Sequence, residues 1–264
     1  MSNITRARAP EETELKSKRA ELKRLEARLA QKELDLATLQ AELRAFEARY
    51  LRSVGVLYAE LDEIEAKIAE AAARLHPEVV EVQKKAEQAR ARARETAETV
   101  SEAKRKKEED KQADEFTPTD DLKQVYRDLA KRIHPDLASD DDERAQRNLM
   151  MAEANMAYES GDIDRLRKIL DEWETSPEAV KGDDTAARLD RIERKIARVR
   201  QRLEAIRDEV NALAISRIQE LKTKVEKGEK LGRDILSEMA LRVQDSIEAA
   251  AKRLEKLQRE LARS

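Results

Sequence analysis

The sequence predicts an all-α protein in which two long coiled-coil arms flank a small helical domain. Three observations carry this reading. Of the 264 residues, 42% are charged and only 3% aromatic. Five glycines and five prolines stand where average usage would place ~18 and ~13. Apolar residues also recur at alternating steps of three and four over many consecutive turns, the spacing of a heptad seam. A sheet-rich fold needs turn residues and aromatics that this chain lacks. What fills it instead is Ala, Glu, Lys, Arg and Leu, the residues that favour helix most.

Composition excludes several function classes. There are no cysteines and two histidines, so a disulfide framework is impossible and no metal or cofactor site is expected. No apolar run approaches the ~18–20 residues of a membrane span, and Met1–Pro10 lacks the apolar stretch of a signal peptide. The balance of 54 basic against 57 acidic residues argues against a dedicated nucleic-acid binder, which carries a basic excess. The expectation is a cytoplasmic protein without membrane or nucleic-acid partners.

Residues 1–10 are expected to be disordered, and 11–113 to form the first arm. Its seam runs through Leu22, Leu25, Leu29, Leu36, Leu39, Leu43, Phe46 and Tyr50, with Lys32 the one polar lapse. A second step of four then leads to Val54, and the pattern resumes through Leu57, Leu61, Ile64, Ile68, Ala71 and Leu75. Such an extra four is a stutter, which locally unwinds a supercoil. Pro77 lacks an amide donor and should break the arm near Leu75. Beyond it the seam continues in small side chains, Val79, Val82, Ala86, Ala89, Ala93, Ala97 and Val100, suited either to close packing or to an exposed spacer. Lys104–Lys107 is followed directly by Glu108, Glu109 and Asp110 and reads as a solvated face.

The middle block, 116–176, differs in kind. Thr119 or Asp120 is a fitting N-cap after Pro118. Leu122, Val125, Tyr126, Leu129, Ala130 and Ile133 mark one face of a helix. Lys123, Arg127 and Lys131 lie at successive fours on the other, with Arg132 beside them. The helix stops at His134-Pro135-Asp136. A second helix is expected after the acidic run 140–143, ending at Gly161, and a third over Ile163–Trp173.

A basic amphipathic helix ending in His-Pro-Asp, followed by a polar loop and a helix containing Ala157-Tyr158, resembles the J-domain of DnaJ-type co-chaperones. The matching residues are Tyr126-Arg127-Asp128-Leu129-Ala130-Lys131-Arg132-Ile133-His134-Pro135-Asp136 and Ala154-Asn155-Met156-Ala157-Tyr158. The resemblance implies stimulation of ATP hydrolysis by a DnaK-class chaperone rather than catalysis by this chain. It implies a partner-binding surface of Lys123, Tyr126, Arg127, Lys131, Arg132, His134, Pro135 and Asp136. Pro135 would leave His134 and Asp136 projecting from a rigid turn, where Asp136 can pair with a partner arginine while the basic face steers association. The block departs from the family in lacking a short leading helix, for which the end of the first arm could substitute. It also carries Leu137-Ala138 after the motif, Asp128 for a usual positive charge and Gly161 for a common Leu.

Two other readings compete with this one. A scaffolding protein with a degenerate J-like domain would have no need to keep Lys123, Arg127, Lys131, His134 and Asp136 exposed on one surface. Hydrolysis by His134 and Asp136 is disfavoured, because neighbours across Pro135 do not aim at each other and no nucleophile or phosphate loop accompanies them. A second His-Pro-acid run, His76-Pro77-Glu78, lies inside the seam and reads as structural.

The second arm, 184–262, has its seam at Leu189, Ile192, Ile196, Val199, Leu203, Ile206, Val210 and Leu213. The seam falters around Arg217, weakens at Gly228 and Gly232, and recovers from Leu236 to Leu261. The arms are expected to pair antiparallel within one chain, with the middle block at the tip, positions near 112 and 185 as neighbours and Pro77 opposite Glu220. Client binding or self-association would fall to the arms. The main rival folds both arms back, at Pro77 and near Gly228–Gly232, into a bundle.

Overall fold

The computed structural model describes residues 4–109, 116–138, 140–174 and 185–263, and all regular structure among them is helical. The helices are α1 (Ile4–Tyr50), α2 (Val56–Leu75), α3 (Val80–Glu109), α4 (Asp120–Ile133), α5 (Asp141–Glu159), α6 (Ile163–Glu174), α7 (Thr185–Ala214), α8 (Arg217–Lys230) and α9 (Ile235–Leu261). None of the described helices is long and apolar enough to cross a membrane. They sort into two compact units, residues 1–42 with 116–216, and residues 43–115 with 217–264.

In the first unit α1 is apolar on two sides. Leu22, Leu25, Leu29 and Leu36 meet Val199, Leu203, Ile206, Val210 and Leu213 of α7. A second stripe, Ala30, Leu34 and Ala37, faces the middle block and packs on Tyr126, Leu129, Ile133, Ala154, Tyr158, Leu166 and Ile169. The block is thus a three-helix domain, α4–α6, completed by the flank of α1 rather than carried at a tip. Its caps are local. Thr119 Oγ1 accepts from the Leu122 amide to start α4, and Asp140 accepts from the Glu143 amide to start α5, so the helix begins at Asp141 inside the acidic run rather than after it. Gly161, at φ 71°, closes α5 by returning the Asp162 amide to Ala157 O and its own to Tyr158 O, a reversal that needs the left-handed region glycine enters freely.

The antiparallel pairing of the arms is not what forms. Lys18 meets Glu193, Glu21 meets Arg200 and Glu33 meets Arg202. Partner numbers rise together, so α1 and α7 run parallel. The expected neighbourhood of positions near 112 and 185 falls on residue 112, which lies outside the described residues. The physical reason is the second apolar stripe of α1: docking the block there lets the chain return to the start of the arm before α7 begins. Helix α1 also begins at Ile4, so Ile4–Pro10 belongs to the arm's first turns rather than to a disordered segment.

In the second unit the stutter becomes a single wide turn. Residues Leu51–Gly55 adopt π-helical geometry, and the Val56 amide reaches back to Leu51 O, so the excess phase is absorbed in one place. Val54 there is fully buried, with Phe46, Val225, Leu236 and Val243. At His76-Pro77 the chain reverses, so Pro77 does not lie opposite Glu220 within a straight arm. Gln83 Nε2 donates to Ala73 O, Arg90 pairs with Glu70, and Thr96 Oγ1 donates to Asp62, an antiparallel α2–α3 hairpin. Of the small side chains of that seam, Ala86 and Val100 are buried in the hairpin, while Val79 and Ala97 are exposed. Only Arg105 of the Lys104–Lys107 run has a described side chain, and it is exposed. Gly232, at φ 73°, ends α8, and a Cβ on Gly228 would fall 2.3 Å from Ile235 Cγ1.

Candidate functional site: the His-Pro-Asp turn

Helix α4 is strongly two-sided because its apolar residues repeat at three and four while its cations occupy the opposite face. The two sides have different fates. Tyr126 is 1% exposed; its ring packs 4.7 Å from that of Tyr158 and its hydroxyl donates to Asn155 Oδ1 at 2.6 Å. Burial pushes its phenol far up, so it stays a neutral donor. Tyr126 therefore belongs to the core and not to a partner surface, since it shares the stripe of Leu122 and Leu129.

On the basic face, Lys131 and Arg132 are exposed and Lys123 is half-exposed. Lys131 lies 3.5 Å from Asp128 and Lys123 4.0 Å from Asp120, long surface contacts of little energy. Arg127 is different. It donates to Gln124 at 2.7 Å and to Gln31 of α1 at 3.1 Å, so it is tied to the neighbouring helix rather than free on the surface.

The turn itself departs most from expectation. Residues Pro135–Leu137 form one 3-10 turn. The Asp136 amide donates to His134 Nδ1 at 3.1 Å. Because Nδ1 accepts, Nε2 carries the proton, and it meets Glu33 Oε1 of α1 at 2.8 Å. The Glu33 carboxylate is gripped in turn by Arg202 of α7, Nε to Oε1 at 2.7 Å and a terminal nitrogen to Oε2 at 3.1 Å, and Arg202 also pairs with Glu209. His134 is 3% exposed and Glu33 6%. The histidine expected to project into solvent thus points inward, because a buried carboxylate on α1 offers its Nε2 edge the acceptor that water would otherwise supply. Pro135 stays half-exposed, and the Asp136 side chain retains 26% exposure.

Desolvation alone would raise the Glu33 carboxyl, but the hydrogen bonds from His134 and Arg202 outweigh it and hold the group below its ordinary range. Glu26, further back on α1, lacks such donors, and burial pushes its carboxyl up despite Lys195. Two arginines complete the site. Arg147 of α5 donates to the carbonyls of Arg132 at 2.9 Å and His134 at 3.2 Å, pairs with Glu143 and stacks 4.5 Å from the Trp173 ring centroid. It satisfies the open end of α4. Arg198 of α7 donates to Ala138 O at 3.2 Å, and Leu137 is buried among Leu29, Leu36, Val199 and Ile206.

Sequence reading missed Glu33, Arg147, Arg198 and Arg202. A signal existed for two of them. Glu33 beside the polar lapse at Lys32 marks a disturbed seam, and Glu143–Arg147 has ion-pair spacing on a helix. Nothing marked Arg198 or Arg202 among the many arginines of the second arm. Comparison with protein-family models, curated proteins and solved structures finds no match to this chain.

Proposed function

We propose that this chain is a J-type co-chaperone that stimulates ATP hydrolysis by a DnaK-class chaperone, with its long helices serving client binding, positioning or self-association. One observation carries the reading. Helix α4 ends in a His-Pro-Asp turn that leaves the Asp136 carboxylate partly in solvent, one turn along the chain from the exposed cations Lys131 and Arg132. That juxtaposition suits a partner presenting both an arginine for Asp136 and acidic groups for the basic face. The chain contributes a docking surface and no catalytic group. The experiment is single-turnover ATP hydrolysis by a DnaK-class chaperone with the full chain added over a range of concentrations. Acceleration is expected, and its absence in every form of the protein would overturn the reading.

The burial of His134 favours a second reading. In it the J-like block is a structural spacer whose turn is welded to α1 and α7, and the protein is a helical scaffold. The two part over Asp136, which a spacer does not need.

A further inference from the structure

Resting on the co-chaperone reading, we propose that Glu33 and Arg202 form an autoinhibitory clasp that holds the His-Pro-Asp turn shut while α1 and α7 are engaged. The turn uses its own Asp136 amide to occupy His134 Nδ1. That leaves Nε2 as the histidine edge available to a partner, and Glu33 occupies it. A carboxylate 6% exposed on a leucine-rich helix is not what packing alone selects, since an apolar residue of similar volume would serve stability as well or better. The use this placement does serve is registry: Glu33 is satisfied only when the turn and α7 are both in place.

Three elements therefore close the clasp together. Glu33 Oε1 accepts from both His134 Nε2 and Arg202 Nε, while Oε2 accepts from a terminal nitrogen of Arg202. Leu137 inserts into the seam between α1 and α7, and Arg198 holds Ala138 O from the α7 side. Leu137 and Ala138 are the two residues after the motif that depart from the J-domain pattern, and here they are the anchors. Parting α7 from α1 removes the guanidinium, the Leu137 socket and the Ala138 donor at one stroke. Glu33 then loses its guanidinium partner, and the turn is released. Engagement of the arms is thus the input and exposure of His134 the output.

The test uses the full chain with a DnaK-class chaperone in single-turnover ATP hydrolysis, comparing wild type with Glu33→Ala, Arg202→Ala and the shape-conserving Glu33→Gln. Hydrogen–deuterium exchange of the 134–138 segment is read in parallel, and circular dichroism checks folding. Losing one charge-assisted contact shifts a two-state equilibrium by roughly ten- to a hundredfold. The alanine variants should therefore exchange faster at 134–138 and stimulate at roughly tenfold lower concentration than wild type, with Glu33→Gln between them. If wild type and variants stimulate equally, the clasp is wrong and the co-chaperone reading stands. If exchange quickens but no form stimulates, the clasp exists and the co-chaperone reading falls. Unchanged exchange in correctly folded variants overturns the clasp whatever the ATPase does.

Discussion

Glu33 and His134 stand 101 residues apart in sequence and meet at 2.8 Å, Oε1 to Nε2, with side chains 7% and 4% exposed. The contact joins the flank of a long helix to the motif that carries the functional reading. It also selects one tautomer of the imidazole, proton on Nε2, because the Asp136 amide claims Nδ1.

Asp136 separates the two readings of the block. Asp136→Asn should abolish stimulation of the chaperone ATPase while leaving helicity and melting unchanged. The half-exposed carboxylate makes only a long 3.8 Å approach to His134 Nδ1, and the Asp136 backbone amide keeps its bond to His134 after substitution. Stimulation retained in the Asn variant, measured on a form shown to stimulate, would sink the co-chaperone reading.

Arg147 should matter for stability far more than its surface-like residue type suggests. Arg147→Ala removes the side-chain donor from the carbonyls of Arg132 and His134, the latter keeping its bond from the Leu137 amide, and strips the Trp173 ring of its cation. The expected cost is about 3 kcal/mol. Arg147→Lys should lie between, since an ammonium cannot reproduce the planar fork. Urea unfolding checks it, and a midpoint unchanged in Arg147→Ala would remove the cap from the account.

Acid should loosen the Glu33 site. Its carboxyl is held below the ordinary ~4.3. A lowered native value means that its stabilisation is fully present above the unfolded value and is lost as pH falls through the native one. The acid limb of stability should thus be steeper in wild type than in Glu33→Gln. Parallel profiles below pH 5 would contradict the ion-pair description.

The basic stripe should act on rate. Charge reversal at Lys123, Lys131 and Arg132 is expected to slow association with the chaperone, and the wild-type rate should fall with salt. Arg127 is left out because its bond to Gln31 would mix folding with binding. An association rate indifferent to salt and to all three reversals would reduce the stripe to a solvated face.

Gly228 and Gly232 should tolerate alanine for different reasons and to different degrees. At Gly232, alanine must take φ near 73°, at a cost of about 1 kcal/mol. At Gly228 the new methyl meets Ile235 Cγ1 at 2.3 Å, an overpacking of about 2 kcal/mol. Gly228→Ala should recover on combination with Ile235→Ala, and Gly232→Ala should not. Melting of the four proteins decides it.

Much was legible before any coordinates. Helical class follows from composition, and the break at Pro77, the stutter after Tyr50 and the fault at Arg217 are visible as lapses in one repeat. Each is local: a missing amide, an extra four residues, a charge on a seam. The cap at Thr119 is equally local, because the donor it satisfies lies three residues away. The second stripe of α1, Ala30, Leu34 and Ala37, was also written in the sequence at steps of four and three. It hid behind the stronger leucine seam because alanine is at home on any helix face.

The direction of pairing and the fate of His134 belong to the tertiary structure alone. A heptad seam is the same apolar stripe whether its partner runs parallel or antiparallel, so the repeat in 184–262 does not select between them. The docking of α4–α6 on the flank of α1 does. A histidine after a helix is likewise neutral as to inward or outward pointing. It turns inward here because folding brings a carboxylate from residue 33 and a guanidinium from residue 202 to the same atom's reach, and a long-range meeting of three polar groups leaves no periodic trace in any one of the segments that supply them.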